Sequence, residues 1–511
     1  MRIKTLFRIV IAFSLAMIAW HAWETPSLAQ RGAAPQSLVI SGATLIDGTE
    51  AAPARNVDLL IEGAKIKSIS PHGSAPTPAG ARVVNAEGKF IVPGLMDAHT
   101  HWRGWTGELF LAHGVTTVID LGNQTDWILA ARGAEESGAM RSPRIFTSGN
   151  VIDGPPARQG SGFGDATNAS FHMSYASNAA EARAAVRDLL EKGVDVIKVY
   201  QELSPEALDA VTKEAHRVGI SVVGHTNNLY DAVNHGMDGA THLWEVGLTL
   251  MSKENLQRFQ QGKIASPYAW MDLKEMDRLV SFLVQHGTYI NPCLINEHTG
   301  VIPQRTEFEL YDYQVLMHPN LRYIPLSNVL SSLTFFHKLR SYSPTVGSFP
   351  YIETVDSSVL EEFRKGYSNS QEFVKRFAKA GGKVFAGTDA SGSASLPGAS
   401  LLQELQLEVE AGMTPQQAIR SATALPAEMI HVDYKMGTLQ PGKLADLVVL
   451  DADPLADISN LRKINTVVKD GKVVDTSYHR DYAPAFNELE AIGVTSSTRS
   501  EERRVGKECR L

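Results

Sequence analysis

Cysteine is scarce in this chain of 511 residues, which holds two, Cys293 and Cys509. The second lies in a highly charged tail, so the sequence predicts neither a disulfide framework nor a cysteine metal site. Basic residues are not in excess either. The net charge is −8, which gives no sign of a nucleic-acid-binding protein. Beyond the first 20 residues no apolar stretch is long enough to cross a membrane, and no internal repeat or low-complexity linker is present.

The N-terminus has the pattern of a secretory signal. Three basic residues lie among the first eight, an apolar run follows over 9–20, and the small residues Ser27 and Ala29 come after it. This pattern predicts a signal peptide over 1–29 with cleavage after Ala29, export to the periplasm or secretion, and no stable membrane insertion after cleavage. An uncleaved anchor helix is the alternative, but the apolar run is shorter than the ~20 residues that span a bilayer.

Two segments near the chain ends have the pattern of short strands. In 37–92 and again in 437–480, short apolar runs alternate with turn residues. Pairing the two segments is the simplest assembly, so we expect one small β-sandwich domain formed by both. The segment 481–511 is predicted to be a partly disordered tail. Whether the charged stretch 499–511 belongs to the native protein is left open.

Between these segments, from 93 to 436, short apolar strands alternate with helical stretches. The strand 115–120 is followed by a helix over 127–137, and the strand 194–199 by a helix over 205–218. Such alternation predicts parallel strands joined by helical crossovers. Eight such units close into a TIM (β/α)8 barrel of about 250 residues or more. We therefore predict an α/β fold in which this barrel is inserted into the small β domain.

The stretch from about 297 to 358 fits neither pattern and is rich in aromatic residues. A loop region of this length inside a compact enzyme is commonly a lid or a binding element. An aromatic-rich structural insertion explains it equally well.

Two histidines follow what we predict to be the first barrel strand, residues 90–96. His99 and His101 are two residues apart, so in an extended chain their imidazoles project to the same side. They follow Pro93-Gly94 and Asp97, and active sites of TIM-barrel enzymes lie at the carboxyl ends of the strands. A lone His-x-His pair is common on protein surfaces, but this position favours a functional site.

Four further polar residues occupy equivalent positions in later units: Lys198, His225, His242 and Asp389. A bare ammonium is costly to bury within an apolar strand, so Lys198 is either modified or metal-bound, or it snorkels or pairs with Asp195. Each histidine alone is more often structural than a ligand. The order of all six residues at successive strand ends nevertheless predicts a shared site.

Four motifs carry a resemblance to a known family. They are PGLMDAHTH over 93–101, GVTTVID over 114–120, AGTD over 386–389 and GTLQPGKLADLVVL over 437–450. They resemble motifs of the amidohydrolase superfamily, in its imidazolonepropionase-like or Xaa-Pro dipeptidase-like branch, and the resemblance covers roughly 37–475. A small β domain with an inserted barrel is the rule in that family, in agreement with the strand pattern.

The resemblance implies a binuclear metal site and the residues that hold it. His99, His101 and Asp389 would bind one divalent ion, His225 and His242 the second, and Lys198, carboxylated on its amine, would bridge them. Zinc suits imidazole and carboxylate ligands, so two zinc ions are expected. Imidazolonepropionase itself lacks the lysine and uses one metal, so Lys198 favours the binuclear branch, which includes dipeptidases and other amide-bond hydrolases. Asp389 would be the catalytic base for a metal-activated water and then the acid for the leaving nitrogen.

Weaker candidates for substrate contacts are Asn227, Tyr230 and His298, and turn or helix-cap chemistry explains the first two as well. His298 follows the predicted seventh barrel strand, residues 289–295. The predicted function is metal-dependent hydrolysis of a C–N bond in an amide, a cyclic amide or a small peptide, with an Xaa-Pro-type dipeptidase as an alternative. A lyase or isomerase on the same barrel and a catalytically inactive binding protein are alternatives from other classes. The expected partner is a small-molecule amide or dipeptide substrate, not nucleic acid, and assembly into a homo-oligomer is left open.

Overall fold

The computed structural model describes residues 37–155, 172–296, 302, 304–325, 329, 357–391 and 395–482. The predicted signal peptide over 1–29, His298, Cys509 and the tail from residue 483 onward lie outside the described residues, so the expectations for them stay predictions. In the part of the chain that is described, no helix combines the length and the apolar character needed to cross a membrane.

The first strands belong to one mixed sheet and are β1 (Ser37–Leu45), β2 (Ala54–Glu62), β3 (Lys65–Pro71), β4 (Arg82–Asn85) and β5 (Phe90–Pro93). The first three pair as an antiparallel meander, while β4 and β5 run parallel to β1. In β2, Val57, Leu59 and Ile61 are buried and alternate with more exposed residues, as expected for a strand that covers a core with one face. Gly63, with a φ of 59°, lies in the two-residue turn between β2 and β3.

The strands that follow all run parallel to one another and are β6 (Leu95–Thr100), β7 (Val115–Asp120), β8 (Arg144–Thr147), β9 (Val151–Asp153), β10 (Met173–Tyr175), β11 (Ile197–Val199), β12 (Val222–Gly224), β13 (Gly239–Thr241), β14 (Tyr289–Asn291) and β15 (Lys383–Val384). Within the described residues, β6, β7 and β8 form one sheet in that order, and the others form a second sheet in the order β10-β9-β11-β12-β13-β14-β15. The predicted α/β class with parallel strands is therefore confirmed.

Backbone hydrogen bonds connect the two parallel sheets at both edges of the smaller one. The amide N of Asp195, just before β11, donates to the carbonyl O of Thr147 in β8 over 2.9 Å. At the other edge, the amide N of Ala98 in β6 donates to the carbonyl O of Ala386, just after β15, over 3.0 Å. Side chains from both sheets share one buried cluster. Because all these strands are parallel, their carboxyl ends lie at the same edge.

The prediction of a single first barrel strand over 90–96 is wrong. Residues Phe90–Pro93 belong to β5 and pair with β1, whereas β6 begins at Leu95 and pairs with β7. The chain passes from one sheet to the other at Gly94, where a Cβ atom would lie 2.2 Å from Oγ1 of Thr116. Periodicity gave no sign of this boundary, because almost every residue on both sides of it is buried.

The predicted seventh barrel strand over 289–295 is shorter than expected. It ends at Asn291, and Cys293 has a φ of 47°, in the left-handed region that no extended strand adopts. The chain therefore turns immediately after β14 instead of continuing outward.

The final strands return to the first sheet and are β16 (Leu447–Leu450), β17 (Ile464–Lys469) and β18 (Lys472–Val474). Strand β16 is buried at all four positions and pairs antiparallel with β5. The resulting eight-stranded sheet has the order β18-β17-β16-β5-β1-β2-β3, with β4 also paired to β1. Both ends of the described chain therefore lie in one mixed sheet.

Helices make most of the connections between the parallel strands and are α1 (Gly107–Ala112), α2 (Thr125–Glu136), α3 (Ala179–Lys192), α4 (Pro205–His216), α5 (Leu229–Asn234), α6 (Trp244–Leu250), α7 (Lys253–Gln260), α8 (Met276–Gln285), α9 (Arg305–Leu316), α10 (Ser357–Lys379), α11 (Ala399–Glu410), α12 (Pro415–Ser421) and α13 (Ala424–Met429). The predicted helices over 127–137 and 205–218 are confirmed by α2 and α4. Ser204 shows why α4 begins where it does: its side chain accepts a hydrogen bond from the amide N of Ala207, and Pro205 occupies the first turn.

Part of the aromatic-rich insertion is described and contains α9, a helix that the sequence analysis did not predict. Phe308 of α9 is fully buried, and the hydroxyl of Tyr311 lies 3.0 Å from Nε2 of His113. Further along, the hydroxyl of Tyr323 donates to Oε2 of the buried Glu108 over 3.1 Å. This part of the insertion is therefore anchored against α1.

Candidate metal centre

The six residues predicted as a shared site all lie at or near the carboxyl ends of parallel strands. His99 is in β6 and His101 follows it, Lys198 is in β11, His225 follows β12, His242 follows β13, and Asp389 comes five residues after β15. Because these strands run in the same direction, their ends meet at one edge. The fold therefore brings these six residues close together in space, although they are far apart in the sequence.

The imidazole rings and the carboxylate are close neighbours. One ligand atom each from His99, His242 and Asp389 lie within 4.8 Å of one another. The ring centroids of His99 and His101 are 5.7 Å apart, and those of His225 and His242 are 5.4 Å apart in a stacked arrangement. Among the described residues, the structure thus brings the four histidines and Asp389 into one group that could hold metal.

Asp389 is the carboxylate of this group. Its Oδ1 lies 2.9 Å from Nε2 of His101 and 3.7 Å from Nε2 of His99. Burial alone would raise the pKa of Asp389, but the contact with His101 and the charge of Lys198 lower it below the ordinary value. The side chain is 18% exposed, so it also faces the open side of the site.

Two of the histidines form hydrogen bonds to acceptors through Nδ1. Nδ1 of His101 lies 3.2 Å from the carbonyl O of Gly122, and Nδ1 of His225 lies 2.6 Å from Oε1 of Glu245. A carbonyl oxygen cannot donate, and a carboxylate next to an imidazole is an acceptor as well, so Nδ1 carries the hydrogen in both rings. Nε2 is then the nitrogen of each ring that would bind a metal ion.

Burial also sets the charge of the imidazoles. It lowers the pKa of His99 and of His225 well below the ordinary value, with the charge of Lys198 as the second cause. It lowers the pKa of His242 to about 4. Neutral imidazole is the form that binds metal, so the environment favours the ligand state of these side chains.

Lys198 is fully buried in β11. Its Nζ donates to Oγ1 of Thr241 over 2.6 Å and lies 5.7 Å from the ring centroid of Tyr200. Burial lowers the pKa of the Lys198 amine to about 7. Asp195 is bound elsewhere, because its Oδ2 accepts from Nη1 of Arg132 over 2.9 Å. A pairing of Lys198 with Asp195 is therefore not what satisfies this lysine.

Two of the six residues have backbone conformations that side-chain-bearing residues rarely adopt. The φ angle is 72° at His242 and 56° at Asp389. Left-handed conformations cost of order 1–3 kcal/mol at such residues and cluster at functional sites. The strain therefore supports a functional role for these two positions.

The weaker substrate-contact candidates are placed differently. Asn227 is exposed at the strand-end edge, and its Nδ2 donates to the carbonyl O of Gln201 over 3.2 Å. The ring of Tyr230 packs edge-on against Phe282 of α8 at 4.8 Å between centroids, which is a helix-layer contact. The contacts of Tyr230 give its predicted substrate role no support. His298 lies outside the described residues.

Three residues to which the sequence analysis assigned no role contact the candidate ligands. Glu245 contacts His225, Asn291 places Oδ1 2.9 Å from Nδ1 of His99, and Asn296 donates from Nδ2 to Oδ2 of Asp389 over 3.1 Å. The signal that could have found Asn291 is its position in the predicted seventh strand, the equivalent of the ligand positions elsewhere.

Four imidazoles, a buried amine and a carboxylate at the carboxyl ends of parallel strands form a donor set that could hold metal ions, as in hydrolases with an α/β fold. The sequence matches the amidohydrolase family over residues 90–474, and the chain belongs to that family. The predicted family is confirmed, and with it the prediction of an enzyme that hydrolyses carbon–nitrogen bonds.

Individual relatives are distant or match over short regions. The chain is 22% identical over 461 residues to a 5-methylthioadenosine/S-adenosylhomocysteine deaminase of Symbiobacterium thermophilum, covering 82% of this chain and 86% of that protein. It is 38% identical to an N-acyl-D-aspartate deacylase of Alcaligenes xylosoxydans xylosoxydans, but over 95 residues, 17% of this chain and 18% of that protein. The solved structure of a Xaa-Pro dipeptidase with bound methionine has a TM-score of 0.59 and 21% identity, over 86% of this chain and 100% of that one. This structural likeness concerns the fold.

Proposed function

We propose that the protein is a metal-dependent amidohydrolase that cleaves an amide, cyclic amide or small peptide bond with two divalent ions. The observation that carries this proposal is the convergence of His99, His242 and Asp389 within 4.8 Å, with His101 in contact with the same carboxylate. A group of this composition at the strand ends of an amidohydrolase is best explained as a metal centre.

The residues present fit such ions. Imidazole nitrogens and a carboxylate are ligands that zinc accepts, and the Nδ1 hydrogen bonds of His101 and His225 make Nε2 the nitrogen that would bind an ion. His99, His101 and Asp389 would hold one ion, and His225 and His242 the other. Bound ions of this kind polarise a carbonyl and make water a nucleophile at neutral pH.

Lys198 would complete the site as a carboxylated residue. Its amine is fully buried, where a cation is costly, and a carbamate replaces that cation by an anion with two ligand oxygens. In the reaction, the amine nitrogen forms a bond to the carbon of CO₂ and one proton leaves the nitrogen. The product would bridge the two ions.

Asp389 would move the proton. Its Oδ2 accepts from Asn296 and its Oδ1 faces His101 and His99, so the carboxylate is held between the two ligand histidines and the loop after β14. It would accept the proton of the attacking water and deliver it to the leaving nitrogen, which suits a general base that becomes a general acid.

The choice of substrate within this class is supported by the relatives alone. A Xaa-Pro-type dipeptidase is the second candidate, because a Xaa-Pro dipeptidase is among the similar structures. The deacylase and the deaminase among the relatives act on other C–N bonds by name, so the substrate class stays broad. A catalytically inactive binding protein is disfavoured by the retention of all six ligand-type residues.

We further propose the architecture in which this chemistry sits. The parallel strands from β6 to β15 would close as a TIM barrel over 93–436, supported by the hydrogen bonds that join the two parallel sheets at both edges. The mixed sheet, from 37–92 and 437–480, would fold over its own core as a small β-sandwich domain. Cleavage after Ala29 would deliver the enzyme to the periplasm or the medium.

Metal content and an amide panel test the proposal. The purified protein should contain close to two equivalents of divalent metal per chain and hydrolyse members of a panel of N-acyl amino acids, prolyl dipeptides and cyclic amides. Removal of metal by a chelator should abolish turnover, and added zinc should restore it. A metal-loaded, folded protein that hydrolyses no amide on the panel would favour the binding-protein alternative.

A further inference from the structure

Strand β14 supplies none of the six proposed ligands, yet its last residue touches one of them. Asn291 is fully buried, and its Oδ1 lies 2.9 Å from Nδ1 of His99. The contact joins β14 to β6, which are not neighbours in either parallel sheet. The amide therefore reaches across the interior to the first candidate ligand.

The orientation of this amide is fixed by its other end. Nδ2 of Asn291 lies 3.1 Å from the carbonyl O of Phe385 and 3.2 Å from the carbonyl O of Gly387. Carbonyl oxygens only accept, so the atom that faces them must be the NH₂ group. The oxygen of the amide consequently faces His99, and an amide oxygen accepts a hydrogen bond. Nδ1 of His99 must then carry the hydrogen.

We infer that Asn291 is a positioning residue that holds His99 in the Nδ1–H tautomer, so that its Nε2 lone pair is directed to the metal position. This inference rests on the proposed function for the metal. Nε2 of His99 does face the candidate centre, since it lies 3.7 Å from Oδ1 of Asp389. Groups that orient a ligand histidine through its second nitrogen commonly contribute about 10–100-fold in metal affinity.

The chain after Asn291 is held firmly enough to serve this role. Both carboxylate oxygens of the buried Glu404 in α11 accept backbone hydrogen bonds, from the amide N of Leu294 over 2.8 Å and from that of Ile295 over 2.7 Å. The next residue, Asn296, bonds to Asp389. The segment from Asn291 to Asn296 therefore contacts two proposed ligands, one in β6 and one after β15, while α11 holds its backbone.

The competing explanation is that Asn291 serves only to satisfy the carbonyls that follow β15. Two substitutions separate the roles. Asn291→Asp keeps an oxygen acceptor for His99 but loses the donor to the two carbonyls, whereas Asn291→Leu loses both. Asn369→Leu is the matched control, because Asn369 is also buried and bonds through Nδ2 to a backbone carbonyl, that of Tyr268.

The first measurement is the imidazole ¹⁵N spectrum of histidine-labelled, metal-free protein, with His99 assigned by its substitution. We expect Nδ1–H in the wild type and in Asn291→Asp, and a population of Nε2–H in Asn291→Leu. An Nε2–H tautomer of His99 in the wild type overturns the inference. This result needs neither metal nor substrate, so it is independent of whether the proposed function is correct.

The second measurement is zinc affinity by competition with a chelator, alongside thermal unfolding. Zinc affinity should fall about 10–100-fold in Asn291→Leu and by much less in Asn291→Asp, although both lose thermal stability. On any accepted amide at saturating zinc, the fold-decrease in kcat of the Leu variant should exceed the fold-increase in its KM. Equal zinc affinity in wild type and Asn291→Leu, or equal losses in Asn291→Leu and the Asn369→Leu control, would show a structural role alone.

Discussion

Oε1 of Glu245 lies 2.6 Å from Nδ1 of His225, and Glu245 is completely buried. This carboxylate follows β13 and reaches the imidazole that follows β12, so two adjacent units of the fold determine one candidate ligand. Buried carboxylates are costly unless they are paired, and the imidazole N–H is a suitable partner.

Replacing Glu245 should therefore weaken metal binding without touching a ligand directly. Glu245→Leu removes the acceptor for His225 Nδ1, and zinc affinity should fall about 10–100-fold. Glu245→Gln keeps an acceptor oxygen and should lose less. Chelator competition on both variants measures the difference. If both bind zinc as the wild type does, the orienting role of Glu245 is wrong.

Asp389→Asn should keep much of the metal but lose turnover. The amide cannot accept the proton of water, and loss of a general base typically costs about 10²–10⁴-fold in rate. Elemental analysis and the rate on an accepted amide are the measurements. Asp126→Asn, at an exposed position in the first turn of α2, is the control and should be normal in both. Turnover of Asp389→Asn near the wild-type rate would contradict the assignment.

Lys198→Ala should lose metal as well as activity, because the bridging carbamate would be absent. Short carboxylic acids added to this variant should restore part of both by occupying the place of the carbamate. Lys192→Ala, at a solvent-facing position of α3, is the matched control. A Lys198→Ala protein with full metal and normal turnover excludes the bridging role.

Asp58 in β2 should make stability depend on pH below about pH 4. Partial burial alone would raise its pKa, but hydrogen bonds from His72, Gly73, Ser41 and Gly42 outweigh burial and lower it to about 2. Because the folded pKa lies below the ordinary 3.8, the carboxylate stabilises the fold above about pH 4, and this contribution is lost as the pH falls toward 2.

The test is Asp58→Asn followed by unfolding at several pH values. At pH 7 the variant should be less stable by about 1.5–3 kcal/mol, the range for hydrogen bonds to a charged group. The gap to the wild type should narrow from pH 4 downward. A gap that stays constant from pH 7 to pH 3 would mean that the charge of Asp58 contributes nothing.

Two glycines should respond oppositely to alanine. At Gly387 a Cβ atom would lie 2.5 Å from Cβ of His99 and 2.6 Å from its backbone N, so the strand end would be forced away from β6. Gly387→Ala should destabilise by about 1–3 kcal/mol or more and disturb metal binding. Gly133 in α2 has nothing within 4 Å of a Cβ position, so Gly133→Ala should stabilise by about 0.5–1 kcal/mol. Thermal unfolding of both variants decides, and destabilisation by Gly133→Ala would contradict this account.

Local patterns predicted the parts of the fold that depend on local chemistry. The start of α4 after Ser204 follows from helix capping, and the alternation in β2 follows from its one buried face. Both patterns are visible in the sequence. The shared site of His99, Lys198, His225 and His242 could also be predicted from their order at successive strand ends, because the ends of parallel strands meet at one edge.

What the sequence analysis missed depends on contacts between distant segments. The segment 90–96 is divided at Gly94, where a Cβ atom would collide with Oγ1 of Thr116. The periodicity of a strand carries no information about such a neighbour from another unit. Asn291 and Asn296 were missed because an asparagine in a strand or turn has many ordinary explanations. Their importance appears when His99 and Asp389 are seen beside them.

The pairing of β5 with β16 has a consequence for how the chain is made. Residues Phe90–Pro93 leave the ribosome long before their partners Leu447–Leu450, with the whole parallel array synthesised between them. Contacts of such high sequence separation are slow to form, and an open strand edge invites pairing with other chains. During synthesis the nascent protein therefore carries an incomplete sheet until its last strands emerge. A ribosome-stalled or truncated product that ends before β16 should aggregate, even with every candidate ligand already present.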